Sequence, residues 1–337
     1  MARVWPAIKT SFHNMMVMKN VLKALRGLKG RTLILTHHNA DADAVASSLA
    51  LKRLLRSFGV EADVGAAESI SKPAQKLAEK SFVIDPDCSD YENVVLVETT
   101  VPEQVASVKN VRADIIIDHH PAGKLAEGVA AKWIDDSYRS CAQMVLELYR
   151  EAGVAPDRTV ALWLAAGLTA DTAHLRLAGL KEFEDMVSLF KAGAEFSEVL
   201  KLLETPVDIS ERIAVLKALR RLDAWRIGDL LLAVSRVKSH EAASCRALVK
   251  TAADVAVVVA ERENEVRISS RGRDWILGRG LDLSVIFKEV GKMVGGSGGG
   301  HNLAGSANGP DKKAVDAAVK YVRKELETAM KAQAQPL

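Results

Sequence analysis

The chain has 337 residues, of which 48% are hydrophobic and 26% are charged, and its formal net charge is +3. This composition is ordinary for a globular protein and excludes a disordered chain, and the length is sufficient for two domains. The small positive charge excludes the strongly basic surface of a dedicated duplex binder, but it leaves an anionic substrate open.

The first strong pattern along the chain is a strand followed by a helix. Residues 32–36 are predicted as the strand and residues 44–57 as the helix. Between them, on a predicted loop at a helix N-terminus, lie His37, Asp41 and Asp43. Such a position favours anionic groups. Helix capping explains the two aspartates equally well when they are considered alone.

Further apolar runs predict strands that are each followed by polar residues. One run ends at Val97 and precedes Glu98, and another ends at Ile117 and precedes the triplet Asp118-His119-His120. Shorter strands and helices are also predicted, at residues 60–64, 82–84 and 133–134 for strands and 140–149 and 159–168 for helices. The last helix runs into a polar cluster that contains Asp171.

The alternation of strands and helices predicts an α/β fold with a mostly parallel sheet flanked by helices. The carboxyl ends of parallel strands open on one edge of a sheet, where such folds bind their ligands. We therefore expect the polar positions at 37–43, 98, 118–120 and 171 to lie close together.

The second part of the chain is predicted as a smaller α/β domain. Residues 180–222 are helical and charged without strand signals, so helices are expected to join the two domains. The predicted organisation is a catalytic domain at 1–195, a helical linker at 196–222 and a substrate-binding domain at 223–337. Within the last, the predicted strands cover 229–237, 255–260 and 265–270, and the helices 283–290 and 312–331.

A glycine-rich run precedes His301 and ends in Gly298, Gly299 and Gly300. A glycine loop before a helix exposes N–H groups that can bind a phosphate. The run lacks the pattern of a Walker loop or a dinucleotide fingerprint, and a flexible turn is the alternative. Arg271, at the end of a predicted strand, is suited to bind a phosphate beside it.

The polar positions of the first domain have the chemistry of a two-metal site. Hard divalent cations take carboxylate oxygens and imidazole nitrogens, and one group can bridge both ions. Two cations about 3.5–4 Å apart can stabilise a phosphoryl displacement. The sequence places no cysteine next to these residues, which argues against structural zinc. The cysteines at 88, 141 and 245 are expected to be buried thiols.

Together these motifs resemble the DHH phosphoesterase family with its associated C-terminal domain, over residues 20–330. The first motif, His-x-x-x-Asp-x-Asp, is matched by His37, Asp41 and Asp43, and the motif that names the family by Asp118, His119 and His120. The fourth motif resembles Asp171-Thr172, and the glycine signature is similar to the segment from Gly298 to His301.

The resemblance implies two Mn2+ ions, with Mg2+ as the alternative, and a bridging hydroxide nucleophile. One ion would be bound by His37, Asp41 and Glu98, and the other by Asp43, Glu98, His119 and Asp171. Glu98 departs from the aspartate that is usual in the second motif.

For the substrate, the resemblance implies that His120 contacts the phosphate while Asp118 orients the histidines. In the second domain, Arg271 and His301 with the three glycines would bind the terminal phosphate or nucleotide.

The function implied by the resemblance is hydrolysis of short oligonucleotides (nanoRNA) to mononucleotides, and also of pAp-like nucleotides, as in nanoRNases. The alternatives are a RecJ-like single-strand exonuclease, a cyclic dinucleotide phosphodiesterase, and a non-catalytic nucleotide or nucleic-acid binding factor whose metal site is impaired at Glu98. An inorganic pyrophosphatase is disfavoured by the glycine-rich second domain. We expect a cytoplasmic protein without a membrane partner, because no apolar run spans a bilayer and no signal peptide is evident. A homodimer is a family-level expectation.

Overall fold

The computed structural model describes residues 12–205 and 207–337, and the chain divides after Thr205 into two compact units. Residues 1–11 of the predicted catalytic domain and Pro206 of the predicted linker lie outside the described residues. Within the predicted linker, the helix Phe196–Leu203 belongs to the first unit and the helix Ile209–Arg220 to the second. Among the described helices, none combines the length and the apolar character needed to cross a membrane.

The first unit is built on one sheet with helices packed on it. Its described strands are β1 (Thr32–Thr36), β2 (Ala62–Ala66), β3 (Phe82–Ile84), β4 (Asn93–Val97), β5 (Ile115–Asp118) and β6 (Ala131–Ile134). Its described helices are α1 (Phe12–Gly27), α2 (Ala42–Ser57), α3 (Gln75–Ala78), α4 (Cys141–Ala152), α5 (Arg158–Asp171), α6 (Leu180–Lys191) and α7 (Phe196–Leu203).

The six strands are all parallel and lie in the order β3-β2-β1-β4-β5-β6, which confirms the predicted α/β fold with a parallel sheet. The chain builds outward from β1 in one direction and then from β4 in the other. The order therefore reverses between β1 and β4, and in open α/β sheets the crevice at such a reversal is where ligands bind.

The central strands β1, β4 and β5 read as largely apolar runs because both of their faces are buried. In β1, Ile34 packs into the core formed with α1, α2, α4 and α5, while Leu33 and Leu35 pack into the core on the opposite face. Side chains alternate between the two faces of a strand, so the residues on both faces of β1 are mostly apolar. The opposite face is covered by short 3-10 turns such as Pro102–Val105.

The second unit contains a mixed sheet. Its described strands are β7 (Asp223–Ile227), β8 (Leu230–Val237), β9 (Val255–Glu261), β10 (Val266–Gly272), β11 (Ser297–His301), β12 (Ala304–Gly309) and β13 (Ala334–Pro336), in the order β11-β12-β10-β9-β8-β7-β13. Its described helices are α8 (Ile209–Arg220), α9 (Glu241–Thr251), α10 (Leu283–Met293) and α11 (Val315–Met330). Of these neighbours only β8 and β9 are parallel.

The glycine-rich run is a strand, so the prediction of a loop before a helix is wrong. Residues 297–301 form β11 and pair antiparallel with β12. A Cβ on Gly298 would lie 1.9 Å from the carbonyl oxygen of Phe287 in α10, and a Cβ on Gly300, whose φ is +144°, would lie 1.9 Å from that of Ala304. Both positions therefore require glycine, because a neighbouring backbone carbonyl occupies the space that a Cβ would need.

Candidate metal centre

Three neighbouring strands deliver the predicted ligands to one edge of the parallel sheet. His37 follows β1, Glu98 follows β4 and His119 follows β5, all at the carboxyl ends of the strands. Since β1, β4 and β5 are adjacent, these side chains lie together at the reversal of strand order.

Asp41 is the N-cap of α2. Its Oδ1 accepts hydrogen bonds from the backbone N–H groups of Asp43 at 3.0 Å and Ala44 at 3.1 Å. Capping thus uses one oxygen and is compatible with a metal on the other. The side chain is half-buried and lies in a group with His37 and Glu98.

Asp43 lies inside the first turn of α2 and is fully buried, so its predicted place on the preceding loop is wrong. The N-terminus of α4 points at its carboxylate: the N–H of Cys141 donates to Oδ2 at 2.6 Å and that of Ala142 to Oδ1 at 2.9 Å. Burial, followed by the charge of Asp171, raises the pKa of Asp43 well above its usual range. A nearby cation would favour the ionised form.

Glu98 occupies the centre of the constellation. It is 2% exposed, and its backbone N–H donates to the carbonyl of Ile117 at 3.0 Å. Its φ of +61° is left-handed, which costs a non-glycine residue about 1–2 kcal/mol. Burial, and next the charge of Asp43, raises the pKa of Glu98 well above its usual value. Backbone strain of this kind concentrates at functional sites.

His119 lies between two carboxylates. Its Nε2 is 3.3 Å from Oδ2 of Asp171 and 3.6 Å from Oε1 of Glu98. Burial lowers the pKa of His119, but the two neighbouring carboxylates outweigh that effect and raise it to about 11. The metal-free site therefore favours the imidazolium, and a metal ion would replace the proton.

Asp171 is the last residue of α5, and a left-handed turn follows it. Ala173, His174 and Leu175 have φ values of +50°, +59° and +65°. The N–H of His174 donates to the carbonyl of Thr169 at 2.8 Å and closes this turn. The helix thus ends abruptly where its last side chain reaches His119.

Asp118 and His120 form a pair beside these ligands. Oδ1 of Asp118, which is 1% exposed, accepts from both the backbone N–H of His120 at 2.9 Å and its Nδ1 at 3.0 Å. The side chain of His120 is 54% exposed. Within the described chain, the Asp118 side chain hydrogen-bonds His120 alone, so the expectation that it orients both histidines holds for one of them.

His37 has one ring nitrogen fixed. Its Nδ1 donates to the carbonyl of His38 at 2.8 Å, which leaves Nε2 as a lone-pair donor. His38 turns away, since its Nδ1 contacts the carbonyl of Gln104 at 3.2 Å.

The residues fit divalent cations by their geometry and by their charges. Single ligand atoms of Asp43, Glu98, His119 and Asp171 lie within 4.8 Å of one another, and the same holds for His37, Asp41 and Glu98. Glu98 is common to both groups, as a bridging ligand would be. Oε2 of Glu98 is buried without a hydrogen-bond partner, and Nε2 of His119 is buried beside two carboxylates without a hydrogen bond of good geometry to either. Unsatisfied buried polar atoms are costly, and a cation would satisfy both.

Two contributors near Asp43 were not predicted. Cys141 is far from Asp43 in the sequence but lies beside it in space. It approaches through its N–H, and its Sγ points to the carbonyl of Ile117 at 3.6 Å. A Cβ on Gly167 of α5 would lie 2.6 Å from Oδ1 of Asp43. In the sequence, the predicted start of a helix near Ser140 was the signal that could have indicated the contact with Asp43, because helix N-termini bind carboxylates.

The predicted phosphate-binding residues lie in the second unit. Arg271 is in β10 and donates from Nη1 to the carbonyl of Ser270 at 2.7 Å. His301 pairs with Ala304 of β12, the strand between β10 and β11, and Gly272 donates to the carbonyl of Leu303 at 2.9 Å. Arg271 and His301 therefore flank β12 at the same end of the sheet.

Both units are similar to known protein families. A model described as "DHH family, N-terminal domain" matches residues 31–168, and a DHHA1 domain model matches residues 232–328. An uncharacterized protein of Methanocaldococcus jannaschii is 35% identical over 297 residues, which cover 85% of this chain and 89% of that protein.

Two named enzymes match a shorter part. The bifunctional oligoribonuclease and PAP phosphatase NrnA of Thermus thermophilus is 28% identical over 172 residues, or 48% of this chain and 49% of that enzyme. A probable manganese-dependent inorganic pyrophosphatase of Streptococcus mutans is 26% identical over 159 residues, or 43% and 49%. Each match thus spans about half of the enzyme's length.

A solved structure shares the fold. An exopolyphosphatase-related protein from Bacteroides fragilis is 14% identical, with a TM-score of 0.64 over 96% of this chain and 99% of that chain.

Proposed function

This chain belongs to the DHH family of phosphoesterases, and from that membership we propose that it is a metal-dependent phosphodiesterase acting on short oligonucleotides. It releases mononucleotides from them and also removes a phosphate from pAp-like nucleotides. Mn2+ is the proposed ion and Mg2+ the alternative.

The observation that carries the proposal is the convergence on Glu98. Its carboxylate is shared by three groups of possible ligands. One contains His37 and Asp41, one contains Asp43, His119 and Asp171, and a third contains His119 and His120. Two divalent ions bound there would polarise a phosphoryl oxygen and supply a nucleophile at neutral pH. The carboxylates lie so close together that they repel one another, and bound divalent cations would offset this repulsion.

The residues of this chain then have separate tasks. The N–H groups of Cys141 and Ala142 hold the Asp43 carboxylate in place. Asp118 accepts a hydrogen bond from Nδ1 of His120, so that the other ring nitrogen, Nε2, is the one available to the substrate phosphate.

The choice of a nucleotide substrate is supported by the second unit. The DHHA1 match includes Arg271 and the glycine strand, and Arg271 and His301 flank β12 at one end of the sheet. A Cβ on Gly299 would meet nothing within 4 Å, so packing does not explain this glycine, whereas close approach of a ligand to the backbone would. NrnA, named as an oligoribonuclease and PAP phosphatase, is among the relatives.

A length-resolved cleavage assay tests the proposal. Labelled RNAs and DNAs of two to about thirty nucleotides, pAp, a cyclic dinucleotide and pyrophosphate are each incubated with Mn2+ or Mg2+. We expect mononucleotide release that is fastest on the shortest strands. Faster cleavage of long strands would favour a RecJ-like exonuclease, and cleavage confined to the cyclic dinucleotide would favour that phosphodiesterase. No hydrolysis of any substrate would reject the proposal.

Matched variants tie the activity to the site. Asp171→Asn removes a half-buried carboxylate that contacts His119, and we expect loss of both Mn2+ binding and cleavage. Asp136→Asn, in an exposed loop residue outside the ligand groups, is the control and should keep both.

A second candidate, a nucleotide-binding factor without catalysis, is favoured by one observation. Glu98 adopts a left-handed backbone that aspartate tolerates better than glutamate. Activity of Glu98→Asp is therefore compared with that of the parent. Cleavage that appears only in this variant, while the parent binds nucleotide without hydrolysing it, would establish the binding factor.

A further inference from the structure

A cavity of about 540 Å³ lies in the first unit, between the second half of α2, the start of β2, the end of α3 and helix α5. Pockets for small ligands commonly measure about 300–1,000 Å³. None of the candidate metal ligands lines this cavity. Helix α2 rises about 15 Å between Asp43 of the metal centre and Arg53 of the cavity wall. The cavity is therefore separate from the metal centre, and it is called the α2–α5 cavity below.

The wall that α2 contributes is positively charged. Lys52, Arg53 and Arg56 line it, and their spacing of one, three and four residues places them on one face of the helix. Among the described residues, no carboxylate forms an ion pair with any of these three side chains. Three cations without an ionic partner at one wall favour an anionic group, and arginine is well suited to bind a phosphate.

The carboxylates of the α2–α5 cavity come from other segments. Glu61 precedes β2, Asp63 lies within β2 and Glu79 follows α3. Asp63 pairs with Arg31 at 3.5 Å, whereas Glu61 and Glu79 form no ion pair within the described chain. A phosphate is therefore favoured beside α2 alone, and the carboxylates favour a ligand group that donates hydrogen bonds.

Trp163 of α5 gives the cavity a flat apolar surface. The guanidinium carbon of Arg53 lies 5.9 Å from the centre of the Trp163 ring, and the Arg53 residue is exposed. Two flat groups in contact lie about 3.5 Å apart, so a third flat ring between them needs about 7 Å. An outward shift of Arg53 by about 1 Å would therefore admit an aromatic base between the guanidinium and the indole, which both stack well on bases.

We propose that the α2–α5 cavity binds a nucleoside monophosphate. The phosphate pairs with the cations of α2, the base stacks between Arg53 and Trp163, and amino groups of the base donate to Glu61 and Glu79. Guanine suits the carboxylates better than uracil, because guanine carries an amino group beside a ring N–H and uracil has no amino group. Inorganic phosphate lacks the flat ring and a nucleoside lacks the anion, so each would use one part of the cavity only.

Isothermal titration calorimetry of the full chain with GMP tests the proposal. Every protein carries Arg271→Ala and is kept in EDTA, which excludes the predicted phosphate-binding arginine of the second unit and the metal centre. We expect one GMP per chain with a Kd of about 10–100 μM, and a Kd for UMP that is about fivefold higher. Arg53→Ala and Trp163→Leu should each raise the Kd for GMP about tenfold or more, whereas Trp163→Phe, which keeps a flat ring, should change it by less than about threefold.

Arg323→Ala is the matched control. Arg323 also lies over a tryptophan, at 5.4 Å from the ring centre of Trp225, but the cavity beside this pair measures only about 170 Å³. This variant should bind GMP as the parent does. Circular dichroism melting checks that the variants fold, and the exposed Arg53 keeps the test decisive if Trp163→Leu unfolds. No binding up to about 5 mM GMP would overturn the proposal. Binding that survives both Arg53→Ala and Trp163→Leu, or inorganic phosphate that binds as tightly as GMP, would also overturn it.

Discussion

Replacing Gly167 by alanine should disturb the metal centre without removing any ligand. Gly167 lies in α5 where it packs on α2 and α4, and a Cβ there would be 2.6 Å from Oδ1 of Asp43 and 2.9 Å from the Cβ of Ala142. Ordinary van der Waals contact between such atoms begins at about 3.5 Å. Either the Asp43 carboxylate moves by nearly 1 Å or the helices separate.

Two effects of opposite sign decide the stability of Gly167→Ala. Alanine improves helix propensity by about 0.8–1 kcal/mol, whereas overpacking of a core costs about 1–3 kcal/mol. We expect the free energy of unfolding to fall by about 0–2 kcal/mol. The effect on function is larger, because displacing Asp43 from the N–H groups of Cys141 and Ala142 should weaken Mn2+ binding about 10–100-fold. Misplacement by 1 Å also costs about 100-fold in rate.

Calorimetric titration with Mn2+, thermal unfolding and the cleavage assay measure these effects separately. Gly27→Ala is the control, since this glycine ends α1 and a Cβ there meets nothing within 4 Å. It should leave Mn2+ binding unchanged and leave stability equal or slightly higher. If Gly167→Ala bound Mn2+ and cleaved as the parent does, the steric argument for this glycine would be refuted.

Three further predictions follow from individual contacts. Asp118→Asn should lower kcat about 10–100-fold with little change in KM or Mn2+ affinity, because it leaves His120 misoriented; unchanged kcat would contradict this role. Arg271→Ala should raise KM for a dinucleotide while calorimetric Mn2+ binding stays at the parent's value; an unaltered KM would remove Arg271 from substrate binding. In EDTA, the melting temperature should be lower at pH 9 than at pH 5. Because the pKa of Glu98 is raised, ionising this carboxyl group above pH 4.5 destabilises the folded state. Because the pKa of His119 is raised to about 11, its protonation stabilises the folded state fully below pH 6.5, and this stabilisation is lost as the pH rises toward 11. Mn2+ should restore stability most at pH 9, and a metal-free melting temperature that rises with pH would contradict this.

The parallel sheet and the convergence of most of the candidate site residues could be predicted from the sequence because their signals are local. β1, β4 and β5 are continuous apolar runs, which only strands buried on both faces require. Each run ends in a polar residue, and parallel strands bring such ends to one edge. The convergence of His37, Glu98 and His119 then follows from the topology alone.

Other features depend on partners far along the chain. The glycine strand β11 has no β propensity of its own, and its pairing with β12 and its close approach to α10 determine its conformation. The contact of Asp43 with Cys141 joins residues 98 positions apart. The outward position of Leu180, Phe183 and Val187 on α6 likewise depends on the buried contacts of Asp185 with Gln143 and Arg150, which a helical pattern alone does not reveal.

The most direct test of the metal centre is an anomalous difference map from crystals of the full chain grown with Mn2+. A two-metal centre predicts two peaks at the carboxyl edge of the parallel sheet, one beside His37 and Asp41 and one beside His119 and Asp171, with Glu98 contacting both. Peaks at other positions only, or a well-ordered site that binds no Mn2+ at millimolar concentration, would contradict it.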